Sequence, residues 1–342
     1  MQPGKRQNGV AMNPTLTAKA RPAANLFAPI AADLEEVEKI LRSSLESARP
    51  GVDRLLAHLP HYKGKRLRPA LLLLVARACG AVTPAHHLLA AVTEMIHTAT
   101  LVHDDVLDHA SVRRHVPTVN ALWGNQASIL LGDYLFTHAF HLSATLDDVR
   151  ACRIIGESTN RLCEGELHQI CRRGALDLSE DEYFDIIDAK TAELTSCCCR
   201  LGALYAGMSE DIVDRLARYG RALGVAFQIA DDVLDLAGEE TLAGKSLGSD
   251  LEQQKLTLPV IHLLQTAPPE QATRVRTLLT AAGNHKREAL LPELRTCGSL
   301  EYSRQRAEGF ACAALAELDC LRPSEGRAIL EALADRVVHR DH

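Results

Sequence analysis

The chain writes one acidic pentapeptide twice, once in each half: Asp104 to Asp108 and Asp231 to Asp235 both read DDVLD. At 3.6 residues per turn, the first and last aspartates of each copy project from one helix face. Two unit charges about 4 Å apart repel by roughly 1 kcal/mol in water and about 4 kcal/mol near a protein surface, so each pair demands a cation. One such cluster is compatible with a solvated acidic helix end. Two, each behind an apolar run (Met95, Ile96, Ala99, Leu101, Val102 and Leu223, Val225, Ala226, Phe227, Ile229), point to a cavity where acids face each other across hard cations. Mg²⁺ favours carboxylate, water and phosphate oxygens, so a diphosphate bridging the clusters is the matching ligand.

Hydrophobic residues make up 46% of the 342 residues and aromatics only 4%. A core of Ala, Leu, Ile and Val favours packed helices, and no stretch alternates like a hairpin, so strands are not expected. The expected architecture is all-α: a single large helical bundle around a central cavity over 31–342, after a disordered tail over 1–30. That tail has Lys5, Arg6, Lys19 and Arg21 but no acid, like an organelle-targeting segment; its scattered Pro and Gly spoil an amphipathic helix. A formal net charge of −6 argues against a nucleic-acid protein. The ten cysteines include no C-x-x-C pair, and Cys197, Cys198 and Cys199 are adjacent. This excludes a zinc or dithiol site and indicates a reducing compartment, read as the cytoplasm. No apolar run is long enough to span a bilayer.

Expected helices include Ala70 to Cys79, about Ala85 to Asp108, 148–173, 179–207, 210–237, 252–265, 270–282, 286–295, 299–320 and 324–338. Before Pro69, the cluster Lys63, Lys65, Arg66 and Arg68 lies beside a helix start whose free N–H groups favour anions. It reads as a phosphate cradle or as a solvated basic loop. Lys190 and Thr191 sit in mid-helix facing the interior, where a lysine needs a partner or an anion. After the second DDVLD, Lys245, Lys255 and the glycines 244 and 248 suit a mobile basic lid over phosphate oxygens.

Together KGKRLRPALLLL, MIHTATLVHDDVLD with RR following, LLGDYLF, KTAEL, FQIADDVLDL and GKSLGSDL resemble the trans-polyprenyl diphosphate synthases, in the right order over about 33–265. The resemblance implies Asp104 and Asp108 as ligands for two Mg²⁺ ions and Asp231 for a third, supported by Asp105, Asp232 and Asp235. It implies Arg113, Lys190, Thr191, Gln228, Lys245 and Lys255 as holders of the allylic diphosphate. Lys65, Arg68, His97 and Arg114 resemble the isopentenyl diphosphate pocket; His97 lies two turns before Asp104 on the same face. Ala99 and Thr100 stand where short-chain relatives place bulky aromatics that close the channel, with Ile96 one turn deeper. Ala99 and Thr100 are small, which implies a long product of the octaprenyl or solanesyl kind. A homodimer is also implied.

The implied chemistry is ionisation of the allylic diphosphate, attack by the isopentenyl double bond and proton loss to the released diphosphate, with water excluded by apolar walls and the 238–250 lid. Three departures stand out: His109 and His115 replace an acid and a glycine, and Gln253-Gln254 replaces Glu-Gly. Alternatives are a shorter-chain synthase, a non-catalytic partner subunit and a terpene cyclase. The retained basic and acidic sets argue against the second, and the second DDVLD against the third.

Overall fold

A computed structural model describes residues 26–238, 247–281 and 286–339. Its helices are α1 (Ala31–Ser44), α2 (Pro50–Leu56), α3 (Leu67–Cys79), α4 (Pro84–Leu107), α5 (Val119–Ala144), α6 (Val149–Cys171), α7 (Glu180–Ile187), α8 (Glu193–Tyr205) and α9 (Glu210–Ala237). These are followed by α10 (Ser249–Glu252), α11 (Leu258–Thr266), α12 (Pro269–Thr280), α13 (Lys286–Thr296), α14 (Ser299–Glu317) and α15 (Glu325–Val338). No helix among the described residues is long and apolar enough to cross a membrane.

The interior follows the aliphatic composition. Leu71, Leu72, Leu73 and Leu74 on α3 are fully buried, each stabilising the fold by roughly 1.5–3 kcal/mol relative to exposure. From Pro69 to Ala76 α3 is apolar and buried on every side, because α4, α8 and α15 cover it. α8 brings Cys197, Cys198 and Cys199 into the same core as small apolar residues. Its approach to α9 requires glycine: a Cβ on Gly220 would lie 2.5 Å from the Thr195 carbonyl oxygen. α4 ends in a sharp turn, opens with Pro84 in its first turn and is capped by Thr83, whose side chain and backbone engage His86.

Four departures from the sequence expectations have local causes. The first is a two-residue antiparallel bridge, β1 (Val112–Arg113) with β2 (Val116–Pro117), in a chain for which strands are not expected. It is too short to show alternation; its turn runs through Arg114 (φ 51°) and His115 (φ 65°). Second, the helix expected over 252–265 breaks into α10 and α11, because Gln254 (φ 57°) leaves helical space and Thr257 precedes a new first turn containing Pro259. Third, α3 starts at Leu67, so Arg68 lies inside its first turn beside Pro69 rather than before it. Fourth, Leu26 and Ile30, within the segment read as tail, are buried in the core, while residues 1–25 lie outside the described residues.

Candidate active site

Both acidic motifs occupy the last turns of long helices, Asp104 and Asp105 on α4, with Asp108 capping it, and Asp231, Asp232 and Asp235 on α9. A helix C-terminus carries partial negative charge, so each motif adds carboxylates to an already negative pole. α6 and the α7–α8 junction lie between them. At that junction the helix widens into a π-turn, Asp188–Ala192, which holds Lys190 and Thr191.

Within each motif, the aspartates divide. Asp105 is fully buried and accepts hydrogen bonds from Arg113 Nε at 2.8 Å and the Tyr62 hydroxyl at 2.7 Å. Asp232 is buried and accepts from the Tyr183 hydroxyl at 2.7 Å and Gln228 Nε2 at 2.8 Å. Asp235 is buried beneath Ser249, whose hydroxyl donates at 3.0 Å. Asp104, Asp108 and Asp231 are only half-buried. Burial lifts the Asp104 carboxyl to about 6 against the pull of Lys190, with Glu166 and Asp108 adding to the rise. Lys255 Nζ stands 3.2 Å from Asp108 and Arg173 Nη2 3.4 Å from the same oxygen.

Lys190 Nζ bridges Glu166 at 2.5 Å and Gln169 at 2.9 Å. Burial works to lower its ammonium group, but Asp104 and Glu166 outweigh that and the net shift is upward. Thr191 Oγ1 donates to Gln228 Oε1 at 2.9 Å, and Gln228 in turn donates to Asp232. One cleft is lined by Lys190, Thr191, Gln228, Asp232 and Lys255 together with Arg172 and Arg173. The polar path from Asp108 through Lys255 to this lining joins the first motif to the second. Among the described residues, no three His, Cys, Asp or Glu side chains converge as a preformed metal cluster. The donor set nevertheless suits a hard cation that keeps water and phosphate ligands: paired half-buried carboxylates at helix negative poles, where burial makes the charge of Asp104 unfavourable until a cation joins it.

A second basic group lies on the α3 side of the first motif. His97 is held well below its ordinary range by burial and then by the charges of Arg68 and Arg114, with Arg113 and Arg66 adding to the effect. Arg68 Nε is enclosed without a hydrogen-bond partner. Its nearest counter-charge, Glu94, already accepts from Arg66 Nη1 at 2.6 Å. Arg114 donates to the Tyr62 carbonyl, and Lys65 is exposed. The structure therefore brings Arg68 and Arg114 together as an excess of positive charge around a neutral His97, a setting for an anion.

Lys245 lies outside the described residues. Arg113, expected on the allylic diphosphate, is engaged by Asp105. Ile96 and Ala99 are buried in the core, and Thr100 donates to the His97 carbonyl at 2.7 Å. Sequence reasoning missed Tyr62 and Tyr183, which orient one aspartate of each motif, and Glu166 and Gln169, which seat Lys190. It also missed Arg173, although the pair Arg172-Arg173 before Gly174 was visible as charge beside a turn.

A family model described as polyprenyl synthetase matches residues 49–294. The octaprenyl diphosphate synthase of Escherichia coli is 38% identical over 312 residues, covering 91% of this chain and 97% of that protein. The nonaprenyl diphosphate synthase of Mycobacterium tuberculosis is 36% identical over 320 residues, covering 92% and 94%. The crystal structure of a decaprenyl diphosphate synthase from Rhodobacter capsulatus superposes with a TM-score of 0.88 at 37% identity, covering 94% of this chain and 100% of that one. A polyprenyl synthase from Caulobacter crescentus, complexed with calcium and isoprenyl diphosphate, gives 0.88 at 33% identity, covering 95% and 100%.

Proposed function

The chain belongs to the polyprenyl synthetase family, and from that premise we propose how its cleft elongates a prenyl chain. The protein is a polyprenyl diphosphate synthase, a prenyltransferase that condenses an allylic diphosphate with isopentenyl diphosphate repeatedly to a long-chain product. The observation that carries the site assignment is one cleft lined by Lys190, Thr191, Gln228, Asp232 and Lys255, whose Lys255 reaches Asp108 of the first motif and whose Gln228 links Thr191 to Asp232 of the second.

The allylic diphosphate lies in this cleft, with Lys190, Thr191, Gln228 and Lys255 on its oxygens and Lys245 and Arg113 as further contributors. Asp104 and Asp108 would hold two Mg²⁺ ions and Asp231 a third, and the ions would supply positive charge against the departing diphosphate. Asp105, Asp232 and Asp235 keep the helix ends in place through Arg113, Tyr183 and Ser249. The lysine charges stabilise the negative charge that grows on the leaving oxygens as the allylic C–O bond breaks. Isopentenyl diphosphate is held by Arg68, His97, Arg114 and Lys65. Its double bond attacks the allylic carbon, and the proton then lost from the isopentenyl unit passes to the released diphosphate. The neutral state of His97 makes it a hydrogen-bond donor to a phosphate oxygen rather than a fixed charge. The growing chain runs along α4 past Thr100, Ala99 and Ile96. Exposed Leu122, Ile129 and Leu130 on α5 support a homodimer.

Incubation of the purified protein with farnesyl diphosphate, labelled isopentenyl diphosphate and Mg²⁺ tests this reading: long prenyl diphosphates are expected, and no turnover or a cyclised hydrocarbon overturns it. Asp104→Ala lowers turnover by orders of magnitude with the fold intact; near-normal activity removes Asp104 from the metal site.

A further inference from the structure

The junction between α7 and α8 is held open by charges outside the cleft. The amide of Glu193 donates to the carbonyl of Asp188, five residues earlier, which defines the π-turn. Such a turn is rare because it packs less well than an α-helix, and it persists where surrounding contacts over-determine it. Here its two ends carry the acids. Asp188 Oδ2 accepts from Arg161 Nη2 at 2.5 Å and from Arg221 Nη1 at 2.6 Å. Glu193 Oε2 accepts from Arg221 Nη2 at 2.7 Å and lies 3.5 Å from Arg161 Nε, while its other oxygen accepts from Ser158 at 2.8 Å.

The two arginines come from the helices that flank the turn, Arg161 from α6 and Arg221 from α9. Those helices touch the turn directly. A Cβ on Gly165 would stand 2.7 Å from Ala189 Cβ and 2.8 Å from the Lys190 amide, and one on Gly224 would stand 2.6 Å from Ala192 Cα. The same two helices supply the partners of the turn's central residues: Glu166 and Gln169 for Lys190, Gln228 for Thr191. An α-helical register over this stretch removes the extra residue and rotates Lys190 and Thr191 by about 100° relative to α6 and α9.

We propose that Arg161, Arg221, Asp188 and Glu193 form a clamp that fixes the π-turn in register, and that through it Arg161 and Asp188 are positioning residues for Lys190 and Thr191. This rests on the reading that Lys190 and Thr191 hold the allylic diphosphate. None of the four touches substrate; they act by aiming the pair that does.

The test is steady-state kinetics of Arg161→Gln, Asp188→Asn and Arg161→Lys, run well below each variant's Tm, with the amide exchange of residues 188–193 followed by mass spectrometry. The expected result for Arg161→Gln is an allylic diphosphate KM raised about tenfold, an isopentenyl diphosphate KM within about twofold of wild type, and faster exchange over 188–193. Arg161→Lys restores most of the affinity, and Arg161→Gln adds nothing further in a Lys190→Ala background. Should Asp188→Asn fail to fold, Arg161→Gln, at a part-exposed position, decides alone. An unchanged allylic KM with only a lowered Tm makes the clamp a stability feature and overturns the proposal. If Lys190→Ala by itself leaves the allylic KM unchanged, the assignment of Lys190 fails instead, and unaltered exchange in Arg161→Gln then removes the clamp as well.

Discussion

Arg68→Met separates the cost of the basic pocket from its use. In the folded chain Arg68 Nε is enclosed without a partner, burial lowers the guanidinium pKa, and Glu94 is already bound by Arg66 at 2.6 Å. Arg114 and Arg113, like Arg68, bear on His97 as positive charge, so the pocket as a whole carries an excess of it. Replacing an incompletely paired buried charge with an apolar side chain of similar length is commonly neutral or stabilising by about 1–4 kcal/mol. Arg68 retains some contact with water, so the lower end applies: about 1 kcal/mol, or a rise in Tm of roughly 2 °C for a chain of this size. The same substitution deletes a charge-assisted hydrogen bond to diphosphate worth about 1.5–3 kcal/mol, a ten- to hundredfold loss of affinity. Scanning fluorimetry without ligands and titration calorimetry with isopentenyl diphosphate read the two effects. A variant less stable than wild type that still binds with unchanged affinity refutes the reasoning, because Arg68 would then be a packing residue.

Three further outcomes are expected. His97 stays neutral in the folded chain, held down by burial and the adjacent arginines, but takes a proton below about 6.5 when unfolded. Stability is therefore lost as pH falls below that value, by up to about 1.4 kcal/mol per pH unit, and His97→Gln lacks this component in urea titrations from pH 7 to 5. An equal slope in both proteins contradicts the assignment. Gln254→Gly relieves a left-handed backbone at φ 57° that costs a side-chain-bearing residue about 1–2 kcal/mol, less about 0.5–1 kcal/mol of glycine entropy, for a net gain of roughly 0.5 kcal/mol; denaturant midpoints check it, and a loss above that size argues for a specific Gln254 contact. Ala99→Phe shortens the product, as chromatography of the prenyl alcohols shows; an unchanged distribution places the channel elsewhere.

Much of the scaffold was legible because its signals are local. Thr83-Pro84 marks the start of α4, the doubled DDVLD marks two helix ends, and the aliphatic run 70–76 marks the buried helix α3. The π-turn was not, since DAKTAEL contains no glycine or proline and reads as ordinary helix; its widening depends on Arg161 and Arg221 from elsewhere in the chain. The two positions where the resemblance leads one to expect glycine, His115 and Gln254, both adopt positive φ, as the glycine they replace would do without strain. Tyr62 and Tyr183 could not be paired with Asp105 and Asp232 from sequence, because each bond spans more than forty residues.

The acidic motifs end α4 and α9 at poles of like sign, and this limits how the protein can be made more robust. A standard recipe for thermostability places lysine or arginine in the last turn of a helix. On the metal assignment proposed above, it would put a permanent counter-ion in the seat of a removable one, raising the melting point while silencing the enzyme. Engineering for heat tolerance should therefore leave these two helix ends untreated, together with the start of α13, where Arg287 donates to the carbonyls of Leu236 and Gly238 at the end of α9, and work on the caps of α12 and α15.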